Sequence, residues 1–312
     1  MSGELSKSIG THGEKVTRNL LAFIGWENTT RNLSVNCLKS THTNLKDNKK
    51  RSHGEDEIFI YNCPVIDSRT IIVHISVKHT MEYLATEGKR KEQLKKHILE
   101  LAEIIECSQH TPQLKNLIDG FVNKRADEVH IGLLVYTQNK NDNPDFDIKL
   151  EIPKINFEDK VKHPIYVVDN SKAEFLFQTI NYMKSNFEKY KYTNPDFGFN
   201  LLNGNYTHTN HLAINMISSD ILPFRVDYLD RFESIIFVNE DFSENSLRKS
   251  ISYAIDFCKN FSKEIKIGFK DYNELVHAHD VQEVLNNFNH DHEIRVTPFC
   301  YIGSFLNITL KQ

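Results

Sequence analysis

His53-Gly54-Glu55-Asp56-Glu57-Ile58-Phe59-Ile60-Tyr61 and Arg69-Thr70-Ile71-Ile72-Val73-His74-Ile75-Ser76-Val77-Lys78-His79-Thr80 are the two runs that decide the fold of this chain. Both are rich in β-branched and aromatic residues, as half-buried strands are, and the segment between them holds the turn formers Pro64, Asp67 and Ser68. They read as an antiparallel hairpin. Strand alternation sets His74, Ser76 and Lys78 on one face and Ile75, Val77 and His79 on the other. Asp56 and Lys78 stand at similar distances from the turn, so the pairing brings Asp56 opposite the end of the second strand. Glu55 and Glu57, its neighbours, read as surface residues pointing away from it.

Working outward, residues 13–26 carry Val16, Leu20, Leu21, Phe23 and Ile24 at helical spacing and stop at Gly25. Glu14 sits one residue into this helix. A short strand at 33–38 leads to a polar loop at 43–52 that holds Lys49, Lys50 and Arg51. Residues 93–106 form an amphipathic helix on Leu94, Ile98, Leu101, Ala102 and Ile105, preceded by the basic residues Lys89, Arg90 and Lys91. A strand at 130–136, a loop at 138–145 and a strand at 164–168 follow. A helix at 171–187 shows capping-box spacing between Ser171 and Glu174. Further strands near 212–217, 234–238, 265–269 and 294–299, with helices near 246–261 and 273–288, make the second half α/β as well. The turn formers Pro195, Gly198 and Gly204 mark the boundary, giving domains 1–193 and 194–312.

The hairpin residues have a coherent chemistry. Mg²⁺ favours hard oxygen ligands, and a metal beside a scissile phosphate activates water and neutralises charge. Glu14 and Asp56 would supply the carboxylates, and Lys78 would orient the water or offset charge on the phosphate. Ser76 is a weak, neutral ligand, so metal affinity rests on Glu14 and Asp56. Lys49, Lys50, Arg51, Lys89, Arg90 and Lys91 flank this point, as solvated faces or as phosphate contacts with salt-dependent affinity.

These residues resemble the restriction-endonuclease-like PD-(D/E)XK nucleases. The order helix, three strands, helix, strand is similar to the αβββαβ core of that superfamily, and Gly54-Glu55-Asp56 resembles the G-x-D form of its motif. Ile24-Gly25-Trp26 looks like the end of the first helix in Mrr-type members. The resemblance implies Glu14 as the helix-one acid, Asp56 as the metal-binding aspartate and Lys78 as the motif lysine. At Ser76 the pattern expects a second acidic residue. The whole chain also looks like the nuclease subunit of two-gene anti-phage defence systems of the GAPS type. That implies a Mg²⁺- or Mn²⁺-dependent DNA endonuclease working with a partner protein encoded alongside it. The alternatives are a weakened nuclease-fold subunit that binds DNA, or a scaffold. The second domain is expected to mediate homo-oligomerisation or partner docking.

Composition removes other classes. The chain has 312 residues, 39% hydrophobic and 26% charged, with a net charge of −4, which fits a globular protein with no overall nucleic-acid-binding bias. Its twelve glycines form no phosphate-binding loop. The N-terminal residues show no apolar signal segment and no apolar run is long enough for a membrane span, so the expected address is the cytoplasm. Five scattered cysteines without a C-x-x-C pair read as reduced core thiols, not zinc ligands. Among the fifteen histidines, His277-Ala278-His279 and His290-Asp291-His292 look like ligand pairs, but on a helix residues two apart face different ways.

Overall fold

Gly25 ends the first helix by a backbone conformation that only glycine adopts readily, with φ at 89°. The computed structural model describes residues 3–43, 48–81, 84, 86–139, 148–195, 207–228, 231–258, 262–288 and 294–302. Helix α1 spans Gly3–Phe23. Gly25 N–H donates to Ala22 O at 3.1 Å and Trp26 N–H to Leu21 O at 2.8 Å, the paired bonds of a Schellman cap. This cap turns the buried Trp26 onto Phe59, ring centroids 4.8 Å apart.

The chain divides into two compact units, Met1–Ala173 and Glu174–Gln312. In the first, β1 (Thr30–Asn36), β2 (Ser52–Asn62), β3 (Arg69–Thr80), β4 (Asp127–Gln138) and β5 (Ile165–Val168) form one sheet in that order. The β1–β2 and β2–β3 pairs are antiparallel, while β3–β4 and β4–β5 are parallel. Helix α2 (Glu87–Ser108) crosses between β3 and β4, followed by α3 (Pro112–Asp119); a short α4 (Ile148–Glu151) precedes β5. The result is the expected αβββαβ core. Leu94, Ile98, Leu101 and Ile105 of α2 pack on Leu134 and Tyr136 of β4, each such side chain contributing roughly 2 kcal/mol by its burial. Leu114 and Ile118 of α3 pack on Ile58 and Ile72.

Helix α5 (Asn170–Asn186) spans the division between the units. The second unit holds a sheet in the order β11-β10-β9-β8-β6-β7, built from β6 (Tyr190–Asn194), β7 (Thr207–Thr209), β8 (Ile221–Asp227), β9 (Phe232–Val238), β10 (Glu264–Phe269) and β11 (Arg295–Cys300). The β9, β10 and β11 strands are mutually parallel; the others pair antiparallel. Helices α6 (Glu244–Cys258) and α7 (Glu274–Asn286) complete it, with Leu247, Ile251 and Val284 in a core beside Ile236 and Ile267. Among the described residues no helix is long and apolar enough to cross a membrane.

Several sequence expectations change. Helix α1 begins ten residues earlier than its apolar stripe suggests, because its first turns are polar. Among its described side chains the buried positions are Gly13, Thr17 and Leu21, whereas Val16 is exposed. Helix α5 is capped by Asp169, whose Oδ1 accepts the Lys172 N–H at 2.9 Å, and not by Ser171. A boundary at 193/194 would cut through β6. The expected strand at 212–217 is irregular, with a single 3-10 turn at Ile214–Met216, and the strand is instead β8, disguised by Pro223. Proline is tolerated there because β8 pairs with β6 only from Phe224 onward. Most of the loop at 138–145, and His290-Asp291-His292, lie outside the described residues.

Candidate active site

The hydrogen-bond ladder between β2 and β3 ends at the Glu57–Ile75 pair, one step before Asp56 and Ser76 would meet. Beyond it Val77 gives its N–H to the Asp56 side chain instead, at 2.7 Å from Oδ2. Ser76 also hydrogen-bonds the Asp56 carboxylate, and Lys78 lies close enough to act on it electrostatically. Burial pushes the Asp56 carboxyl above its ordinary value, and Val77, Lys78 and Ser76 offset that only in part. Asp56, Ser76 and Lys78 are thus brought to one point.

The regular alternation of β2 is interrupted here. Glu55 accepts a hydrogen bond from Ser108 of α2 at 2.8 Å, whereas Glu57 meets Arg18 of α1 at 3.5 Å and Thr29 at 2.6 Å. An undisturbed strand would send residues two apart to the same side. On β1 the position between the Leu33–Glu55 and Arg31–Glu57 pairs is Asn32, in the left-handed region with φ at 52°. Glu55 and Glu57 are therefore not surface residues; they are 2% and 3% exposed. Glu55 pairs with His74, whose Nε2 lies 2.8 Å from His130 Nδ1. Burial, with His74 adding to it, drops His130 to about 3.

Glu14 lies in the middle of α1 and not at its start. Gly13, just before it, is pressed on β3 so closely that a Cβ there would sit 2.2 Å from the His79 Cβ. Glu14 is one helical turn before Arg18 and so shares the flank that reaches Glu57. Among the described residues no hydrogen bond or ion pair joins Glu14 to Asp56, Ser76 or Lys78.

A carboxylate that strand-based reading misses arrives from α2. Glu100 Oε2 is 3.3 Å from Lys78 Nζ and 3.4 Å from His97 Nδ1. The His97 hydrogen bond holds the Glu100 carboxyl at about 2, burial opposing and Lys78 assisting. The amphipathic spacing of α2 marks its apolar face but does not reveal that Glu100 faces β3. Glu100 also lines a groove of about 540 Å³ with Lys50, Lys95 and Lys96.

The expected nucleic-acid-binding residues divide into two groups. Lys49, Arg51 and Lys89 are exposed. Lys50 is tied to Glu103 at 2.6 Å, Lys91 to Glu87 and, at 2.7 Å, to Glu151, and Arg90 is buried with its Nη1 donating to Leu84 O at 3.1 Å.

The part-buried Asp56 carboxylate is a hard oxygen donor of the kind a divalent cation takes. A scan against protein-family models matches residues 1–172 to the GAPS4 protein PD-(D/E)XK nuclease domain. Searches of curated proteins and of solved structures find no match. The matched segment covers more than half of the 312 residues and contains the whole β2–β3 hairpin. The chain belongs to the GAPS4 PD-(D/E)XK nuclease domain family.

Proposed function

We propose that this protein is a Mg²⁺-dependent DNA endonuclease of anti-phage defence, acting in the cytoplasm with a partner protein encoded alongside it. The observation that carries the reading is the Asp56 carboxylate, fixed by the Val77 N–H at 2.7 Å and set beside Ser76 and Lys78. Asp56 and Glu14 would hold the cation. When bound, the cation supplies positive charge against the phosphate and acidifies a water. Lys78 Nζ offers its charge and hydrogens to the phosphate oxygens. Ser76 keeps Asp56 oriented. Glu100 positions Lys78 without touching substrate. Exposed Lys49, Arg51 and Lys89 meet the DNA backbone.

Plasmid nicking with Mg²⁺ or Mn²⁺ tests this directly. Wild type nicks, and the Asp56→Ala and Lys78→Ala proteins do not. Unchanged nicking by both variants would overturn the assignment.

A second reading is favoured by one specific observation: Ser76 contributes a hydroxyl where the superfamily pattern has a carboxylate. In that reading the first unit binds DNA without cutting it. Salt-sensitive binding with no nicking, together with nicking gained in Ser76→Glu, would select it.

A further inference from the structure

Away from Asp56, the end of β1, the loop after it, the start of β2 and the last turn of α2 bring together Cys37, His42, His53 and Cys107. One ligand atom of each lies within 4.8 Å of all the others. We propose that these four residues form a structural Zn²⁺ site. The inference holds whether or not the Asp56 site cuts DNA.

The distances match that ion. Zn–S bonds of about 2.3 Å and Zn–N bonds of about 2.0–2.1 Å at the tetrahedral angle put sulfur and nitrogen about 3.5 Å apart. His42 Nδ1 lies 3.6 Å from Cys37 Sγ and 3.5 Å from Cys107 Sγ. Two thiolates and two imidazoles form a closed ligand set that favours zinc over magnesium or calcium, and with no open position it suits a structural site better than a catalytic one.

The surroundings independently point to a metal. His53 Nε2 is buried and has no hydrogen-bond partner, an expensive state for a nitrogen unless something else binds it. The other nitrogen of His42, Nε2, lies 3.2 Å from Glu106 Oε2, the carboxylate–histidine arrangement that fixes the tautomer of a zinc-bound imidazole. Lys39 and Lys162 also reach this carboxylate, at 2.8 and 2.7 Å from Oε1, which leaves Oε2 to His42. The Leu38 N–H points at Cys107 Sγ from 3.4 Å, as a donor to a thiolate would. On binding, two S–H bonds break, two Zn–S bonds form and two protons leave to solvent. The Cys37 contact to Lys39 O, at 3.4 Å, is lost with its proton. The dication and two thiolates cancel, so the buried site carries no net charge.

The consequence is structural. The metal would tie the loop bearing Lys49 and Arg51 to α2 and to the strand that carries Asp56.

The test is the metal content of the full-length protein, measured by mass spectrometry of metals after dialysis. About one zinc per chain is expected in wild type and in Cys63→Ala and Cys300→Ala, and close to none in Cys107→Ala or His53→Ala. To separate loss of the metal from loss of packing in Cys107→Ala, Co²⁺ is also titrated into chelator-stripped wild type. The intense visible bands and sulfur-to-cobalt charge transfer of a tetrahedral thiolate centre are expected, with a higher melting temperature restored by Zn²⁺ but not by Mg²⁺. Wild type without zinc and with only the weak absorption of octahedral Co²⁺ would overturn the proposal, as would an intact-mass loss of two hydrogens showing a Cys37–Cys107 disulfide.

Discussion

The Val77 N–H donates to Asp56 Oδ2 at 2.7 Å at the step where the β2–β3 ladder would otherwise carry a main-chain bond. The side chain thereby substitutes for a strand partner. Asp56→Asn keeps an oxygen for Val77 and removes only the charge. Because burial raises the Asp56 carboxyl, the folded state holds its proton more tightly than the unfolded state. Ionised Asp56 therefore costs stability at neutral pH, and the cost appears once pH exceeds the unfolded carboxyl value. Asp56→Asn is expected to melt higher than wild type at pH 7 without metal while nicking falls at least ~100-fold. Melting curves and plasmid nicking on one preparation check both.

Glu100 and Lys78 separate position from stability. Their contact of 3.3 Å joins two groups that are each about 30% exposed, and such pairs contribute at most about 1 kcal/mol. Glu100→Gln should leave the melting temperature almost unchanged. Nicking should fall roughly tenfold, because Lys78 loses the partner that aims it and a small misplacement is costly in rate. The sign is checked by measuring kcat and KM separately: a loss in kcat supports positioning, and equal rates in variant and wild type would remove Glu100 from the site.

The hairpin, the αβββαβ order and the convergence of Asp56, Ser76 and Lys78 were legible because strand periodicity and turn chemistry are local signals. What was hidden depends on tertiary placement. Glu100 lies on a helix whose pattern reports only its apolar face. Glu55 and Glu57 looked solvent-facing because charge usually is, yet each is buried against a partner from a different helix. Cys37 and Cys107 looked like scattered core thiols because zinc motifs are recognised by short spacing. Cys107 and His42 are 65 residues apart and meet only once α2 packs beneath the β1–β2 loop.

Acid should weaken this protein earlier than carboxylate protonation alone would. His130 is held at about 3 by burial and by His74, and His208 at about 4 by burial and Arg225, against an ordinary histidine value of 6.5. Below 6.5 the unfolded chain takes up protons that these folded histidines refuse, so stability falls as pH drops from 6.5. Glu100 and Glu106, both held at about 2, begin to add their loss only near 4.5. Between 6.5 and 4.5 the loss therefore comes from the histidines, while Asp56, raised by burial, works in the opposite direction as it takes up its proton. His130→Asn, which keeps a hydrogen-bonding group facing His74, should flatten the decline of melting temperature across that interval. An unchanged slope would show that His130 protonates freely in the folded state.

Gly13 sets how closely α1 approaches the end of β3. An alanine there would bring its Cβ to 2.2 Å from the His79 Cβ and 2.9 Å from its Cγ, distances that no rotamer change relieves. Either the helix or the strand must move. Gly13→Ala should cost about 1–3 kcal/mol, the usual range for overpacking. It should also depress nicking, since Glu14 follows Gly13 on the helix and Lys78 precedes His79 on the strand. His79→Gly removes the opposing atoms, so it supplies the matching half of a double-mutant cycle. If close approach is the cause, Gly13→Ala costs far less in the His79→Gly background than in wild type. Equal cost in both would mean that Gly13 is needed for a reason other than its contact with His79.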